Sequence, residues 1–248
     1  MILPFGLSAY AAGFMALALA GAAFVRGYSG FGFAALVVSA SSLVMNPLVL
    51  VPMVMLVDAA MTVQQAKGIW PDINWRRVAA LYVGALIGVP IGIWALSSVG
   101  VDTARAVIAV YVLVACGFLL AGWQIKRPVG DAPHVGVGVV SGLANAAAVG
   151  GLPVAVFFAA QTLRAAEFRA TLIAYFTLLD VWSLVWMTHA GMITHETICA
   201  SLLALPILIA GIWLGGRQFR RAAPEDFKRF AVILLAVLAG FGLVKSVI

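Results

Sequence analysis

The chain has 248 residues, of which 64% are hydrophobic and 10% charged, with a formal net charge of +6. This balance excludes a soluble globular enzyme, whose charged share runs to about a quarter, and makes the lipid bilayer the solvent. The positive charge does not call for nucleic acid either, because the basic residues flank apolar runs, where the positive-inside rule accounts for them.

A spanning helix takes roughly 20 apolar residues to cross about 30 Å of hydrocarbon. Hydropathy predicts apolar segments at 6–25, 31–45, 47–65, 78–98, 106–123, 134–146, 150–162, 169–188, 197–214 and 230–247. The first contains Ala18-Leu19-Ala20-Gly21-Ala22, which has the small residues of a signal cleavage site but no preceding Lys or Arg, so it reads as a membrane segment. Several segments are too short to span and come in adjacent pairs. Segment 31–45 follows a glycine break at Gly27-Tyr28-Ser29-Gly30-Phe31-Gly32, and 134–146 meets 150–162 around Asn145 to Pro153. Both are expected to be broken helices or hairpins.

Basic residues orient these segments. Lys67, Arg76 and Arg77, then Lys126 and Arg127, then Arg164 and Arg169, and finally Arg217, Arg220, Arg221, Lys228 and Arg229 mark four loops expected on the cytoplasmic side. The loops at 99–102 and 191–196 carry little positive charge and should face outward. The pattern closes if each glycine-rich pair crosses the membrane an even number of times, which puts both termini outside.

Two related halves follow, 1–127 and 128–248. The glycines at 27–32 correspond to Gly150-Gly151, Asp58 to Asp180, Gly92-Ile93-Trp94 to Gly211-Ile212-Trp213, and Asp102 to Arg105 to Asp226 to Arg229, in the same order in each half. The loop charges differ between the halves, so the repeats are expected to be inverted, a pattern associated with alternating-access transporters. The expected fold is an all-α polytopic membrane protein of two inverted repeats, each a broken helix or hairpin plus about three spanning helices, with eight to ten membrane segments in all.

Arg26 ends a long uncharged stretch directly before a glycine break. A guanidinium there must find an anion, water or a partner. Gly27, Gly30 and Gly32, with Ser29 between them, would let backbone N–H groups approach a small oxyanion. The structural reading is an Arg26 that snorkels to the interface and glycines that only allow close packing. In the second half Ser141, Asn145, Gly150 and Gly151 offer hydroxyl, amide and backbone donors, or simply bridge helices. Asp58 and Asp180 sit inside apolar segments, where a carboxylate must be protonated, paired or wetted. They could couple transport to a proton or sodium, or form fixed ion pairs, Asp58 with Arg26 among them. Arg169 would gate the cytoplasmic mouth or anchor the segment by its charge. Cys116 and Cys199 lie singly in apolar runs, and the three histidines have no HExxH-like spacing, so no metal site is expected. No nucleophile elbow or phosphate-binding loop occurs, so no cofactor and no enzymatic activity are expected.

The stretch Val25-Arg26-Gly27-Tyr28-Ser29-Gly30-Phe31-Gly32-Phe33 with Pro52 and Asp58, and later Gly138-Val139-Val140-Ser141-Gly142-Leu143 with Gly150-Gly151-Leu152-Pro153 and Arg169-Ala170-Thr171, resembles the two motif regions of the TauE/SafE sulfite-exporter-like transporters. The resemblance covers nearly the whole chain. It implies export of sulfite, organosulfonates or similar small anions across a bacterial inner membrane, and it implies Arg26, the 27–32 glycines, Ser141, Asn145 and Gly150-Gly151 as the pore or binding region. Where the family more often has a richer glycine run, this chain reads Ala147-Ala148-Val149. The expected function is a secondary anion transporter with a mid-membrane site between its repeats. A passive anion channel and a membrane assembly factor are the alternatives. The expected partners are the substrate anion, lipid and a coupling ion, and a homodimer is compatible with the sequence.

Overall fold

A computed structural model of the chain describes residues 4–121, 124–125 and 129–219. The expected segment 230–247, the basic residues Lys126, Arg127, Arg220, Arg221, Lys228 and Arg229, and the proposed 226–229 match lie outside the described residues.

Among the described residues there are nine α-helices and no strand: α1 Ala9–Ser29, α2 Phe33–Ser41, α3 Pro47–Ile69, α4 Trp75–Ser97, α5 Val101–Ala121, α6 Asp131–Asn145, α7 Gly151–Ala159, α8 Ala165–His189 and α9 His195–Phe219. Five of them, α1, α3, α4, α8 and α9, are long and apolar enough to cross a membrane. Their starts follow local chemistry. Ser8 caps α1 by accepting from the Ala11 N–H at 3.2 Å, and Asn46 caps α3 through Leu48 just before Pro47. Asn74 caps α4 through Arg77.

The order long, short, long, long occurs twice: α1 to α4, then α6 to α9, with α2 and α7 each nine residues. The helix packing repeats under the same correspondence. The most extensive contacts join α4 to α6 and α1 to α9, while α3 packs on α8, α4 on α8 and α3 on α9. Glycines set the two closest seams. A Cβ on Gly84 would meet the Val135 carbonyl, and one on Gly92 the Leu143 carbonyl, so α4 and α6 run parallel with backbones in contact. Gly211 meets Ala20 and Ala23, and Gly215 meets Phe24, so α9 and α1 also run parallel.

The central pair behaves differently. Thr62 meets Thr177 at 2.7 Å, Ile69 packs with Ala170 and Ile173, and the Asn74 N–H donates to Thr171 at 3.0 Å, so α3 and α8 are antiparallel. At the end where α3 finishes and α8 begins, Arg76–Asp131 at 2.9 Å, Arg77–Glu167 at 3.2 Å and Arg164–Asp72 at 2.9 Å join residues 1–127 to residues 128–248. Such partly exposed pairs contribute little stability each, and their role is to fix register.

Candidate functional site

Two helix breaks meet at the centre. The first is shorter than the sequence implied, because Gly27 to Ser29 continue α1 and only Gly30-Phe31-Gly32 is non-helical. Gly27 lies on the α9 seam, where a Cβ would strike Ile212 backbone, so packing and not a turn calls for glycine there. Gly30 and Gly32 take φ of 82° and 91°, a left-handed conformation that glycine adopts without a Cβ clash. The Gly30 N–H closes α1 by donating to the Arg26 carbonyl at 2.8 Å. The Ser29 hydroxyl lies 2.9 Å from the Val25 carbonyl and 3.0 Å from that of Phe31, so its single proton serves one of them at a time.

The second break runs from Ala146 to Gly150. Ser141 donates to the Gly150 carbonyl at 2.6 Å, and Tyr175 donates to Ser141 at 2.8 Å. Ser141 and Gly150 are therefore committed to holding this tip closed on itself. Ala148 has φ of 56°, the conformation glycine favours, at the place where the sequence departs from a glycine-rich run. Ala148→Gly is expected to stabilise the protein by roughly 0.5–1 kcal/mol, the relief of a left-handed Cβ less the added chain entropy. Thermal unfolding checks this, and an unchanged or lower midpoint would count against strain at the tip.

Between the tips lies a cluster of buried charge. Arg26 is 1% exposed, and Asp58 and Asp180 are each 5% exposed. Arg26 Nε contacts Asp58 Oδ1 at 2.7 Å, an ion pair whose N–H is not aligned on the oxygen as a hydrogen bond. Its Nη2 donates to Thr62 Oγ1 at 3.1 Å and to the Asp58 carbonyl at 3.5 Å. Asp180, from the antiparallel α8, is buried beside the Arg26–Asp58 pair. Asn145, the last residue of α6, donates from Nδ2 to Asp180 at 3.3 Å and to Ser183 at 2.9 Å. A cavity of about 30 Å³ touches Arg26, Gly32, Asp58, Asn145, Gly151 and Asp180. That is room for a water molecule and not for a sulfur oxyanion.

The predicted site residues thus divide. Arg26, Gly32, Asn145, Gly151, Asp58 and Asp180 converge on this small cavity. Ser29 and Arg169 instead border a much larger vestibule of about 460 Å³ beside the first tip. Arg169 donates to the Gly27 carbonyl at 2.8 Å, and Gly30 lies directly against it, so this arginine braces the tip. Sequence reasoning missed the vestibule, whose walls come from positions 28–31, 158–169 and 219 and show no single motif.

Long apolar helices around two interrupted ones, with paired charge buried where the interruptions meet, define a polytopic membrane protein of the transporter class. The chain belongs to the family described as Sulfite exporter TauE/SafE, which it matches over residues 14–242. It is 27% identical over 177 residues to the probable inner membrane transporter protein TsaS of Comamonas testosteroni, covering 70% of this chain and 74% of that protein. It is also 27% identical over 221 residues to the probable sulfite/organosulfonate exporter TauE of Cupriavidus necator, covering 86% of this chain and 85% of that one. No solved structure gives a significant match.

Proposed function

We propose that the protein exports a small sulfur-containing anion, sulfite or an organosulfonate, across the bacterial inner membrane by alternating access. The residues 1–127 and 128–248 form inverted repeats, with the basic loops cytoplasmic and the termini outside. The antiparallel crossing of α3 and α8 supports this reading, since equivalent helices related by a two-fold axis in the membrane plane must run antiparallel where they meet. Names of relatives support the substrate class.

The single observation that carries the mechanism is the Arg26–Asp58 pair with Asp180 against it, buried between the two tips. One guanidinium balances one carboxylate. A second carboxylate out of water needs a proton or a cation. An anion arriving at Arg26 competes with Asp58 for the same guanidinium, so its binding hands a second carboxylate to the proton or sodium pool. Anion and coupling ion are linked by this competition.

Proteoliposome flux tests the reading. Sulfite or an organosulfonate should accumulate against its own gradient when a proton or sodium gradient is imposed. Asp180→Asn removes one of the two facing carboxylates, and the dependence of flux on that gradient should flatten. Flux that only equilibrates the anion, with Asp180→Asn unchanged, would make the protein a passive channel.

A further inference from the structure

The vestibule is anion-sized and more, and its walls are aromatic. Its volume of about 460 Å³ falls in the range of small-molecule sites, roughly 300–1,000 Å³. Phe31 meets Phe168 edge-on at 6.2 Å, and Phe168 meets Phe158 at 6.4 Å. Tyr28 meets Phe219 at 6.1 Å, and the Arg169 guanidinium lies over the Phe219 ring at 4.9 Å. All of these rings and Arg169 line the same space. A three-oxygen sulfur anion fills a small part of it.

We infer that this vestibule is a loading subsite for an organosulfonate with an aryl or comparable apolar body, the sulfonate at Arg169 and the body against the aromatic rings that line the space. Arg169 suits the head, because a planar guanidinium braced by the Gly27 carbonyl and the Phe219 face loses little freedom when its N–H fork meets two oxygens of a tetrahedral sulfonate. The phenyl walls suit the body, since stacked or edge-on aromatic contacts favour it beyond simple burial. The position suits delivery. Phe31 lines the vestibule and the next residue, Gly32, lines the small cavity of Arg26, Asp58 and Asp180, so the glycine-flanked tip is the partition between them. The inference rests on the sulfur-anion reading above, and names which members of that class this chain prefers.

Equilibrium calorimetry on the full chain in phosphatidylcholine nanodiscs tests it, with benzenesulfonate and methanesulfonate as probes. The neutral lipid removes anionic headgroups as competitors for Arg169. Benzenesulfonate should bind about ten-fold more tightly than methanesulfonate, the size of one to two good aromatic contacts. Phe168→Leu and Phe219→Leu, which keep apolar volume, should each reduce that ratio, and the pair together should bring it to about twofold. Arg169→Gln should weaken both probes, and Arg169→Lys should recover part of the loss, which a purely structural arginine would not do. Equal binding of the two probes, or a preference that survives both leucine variants, would overturn the subsite. Sulfonate binding as expected, with no flux of any sulfur anion in proteoliposomes, would sink the exporter reading and leave the subsite standing.

Discussion

Arg26→Ala is expected to abolish transport and to destabilise the protein at the same time, through two separable causes. The stability loss comes from Asp58, left as a buried carboxylate whose guanidinium partner at 2.7 Å is gone. Breaking a buried pair from one side costs about 3–5 kcal/mol, because the remaining charge has neither water nor a counter-charge. Asp58→Asn should cost less, because Asp180 lies on the same cavity and can take over as the counter-charge, with Thr62 still accepting from the guanidinium. The double variant Arg26→Met, Asp58→Asn removes both charges, so most of the stability should return. Flux should not return, because no cation is left for the anion to displace a carboxylate from. Melting midpoints at one fixed scan rate separate the first effect, and proteoliposome flux of sulfite, down about a hundred-fold or more in the single and double variants, reads the second. Transport at wild-type rate in the double variant would move the anion site away from the tips.

The predicted segments follow the helices closely because hydropathy is set by the solvent, and lipid leaves few ways to place a run of apolar residues. The two breaks were legible from composition: three glycines within 27–32 and small residues at 146–151 mark the interruptions, which fall at 30–32 and 146–150. What could not be read is which glycine serves which purpose. Gly27 packs against α9 while Gly30 and Gly32 make the turn, and the difference lies in a helix nearly two hundred residues away. Ser141 and Gly150 carry donor and acceptor groups that suit a ligand, yet they satisfy one another. Asp58 and Asp180 were matched by order in the two halves, and that match held an unused clue. In the inverted-repeat reading proposed above, equivalent residues near the two-fold axis face each other, and these two carboxyls line one cavity. Arg169 could be seen as a basic residue near a helix start, but its contacts with Gly27, Gly30 and Phe219 depend on how three distant elements converge.

Gly88→Val should cost the folded protein outright, and the reason bears on how the molecule can move. The Cβ of any side chain at Gly88 would meet the Val139 carbonyl, with Leu143 N at 3.0 Å and Gly142 Cα at 3.1 Å, all backbone atoms that cannot rotate aside. Gly84 and Gly92 repeat the contact one turn before and one turn after, and Gly138 and Gly142 answer from α6. Relief therefore requires α4 and α6 to separate along their whole shared length, which exceeds the roughly 1–3 kcal/mol of ordinary overpacking. Size-exclusion of a fluorescent fusion should show loss of the monodisperse peak. Gly13→Val, on α1 with nothing within 4 Å, should elute like wild type. Wild-type elution of Gly88→Val would mean that α4 and α6 are not in this register. On the proposed alternating-access cycle the seam places a constraint. It ties the hairpin α6–α7 to α4 of the other sequence half, and the α1–α9 seam ties the hairpin α1–α2 to α9. Rocking residues 1–127 rigidly against 128–248 would tear both seams. In the alternating-access reading proposed above, the bodies that move intact are α4 with α6 and α7, and α9 with α1 and α2, with α3 crossing α8 between them.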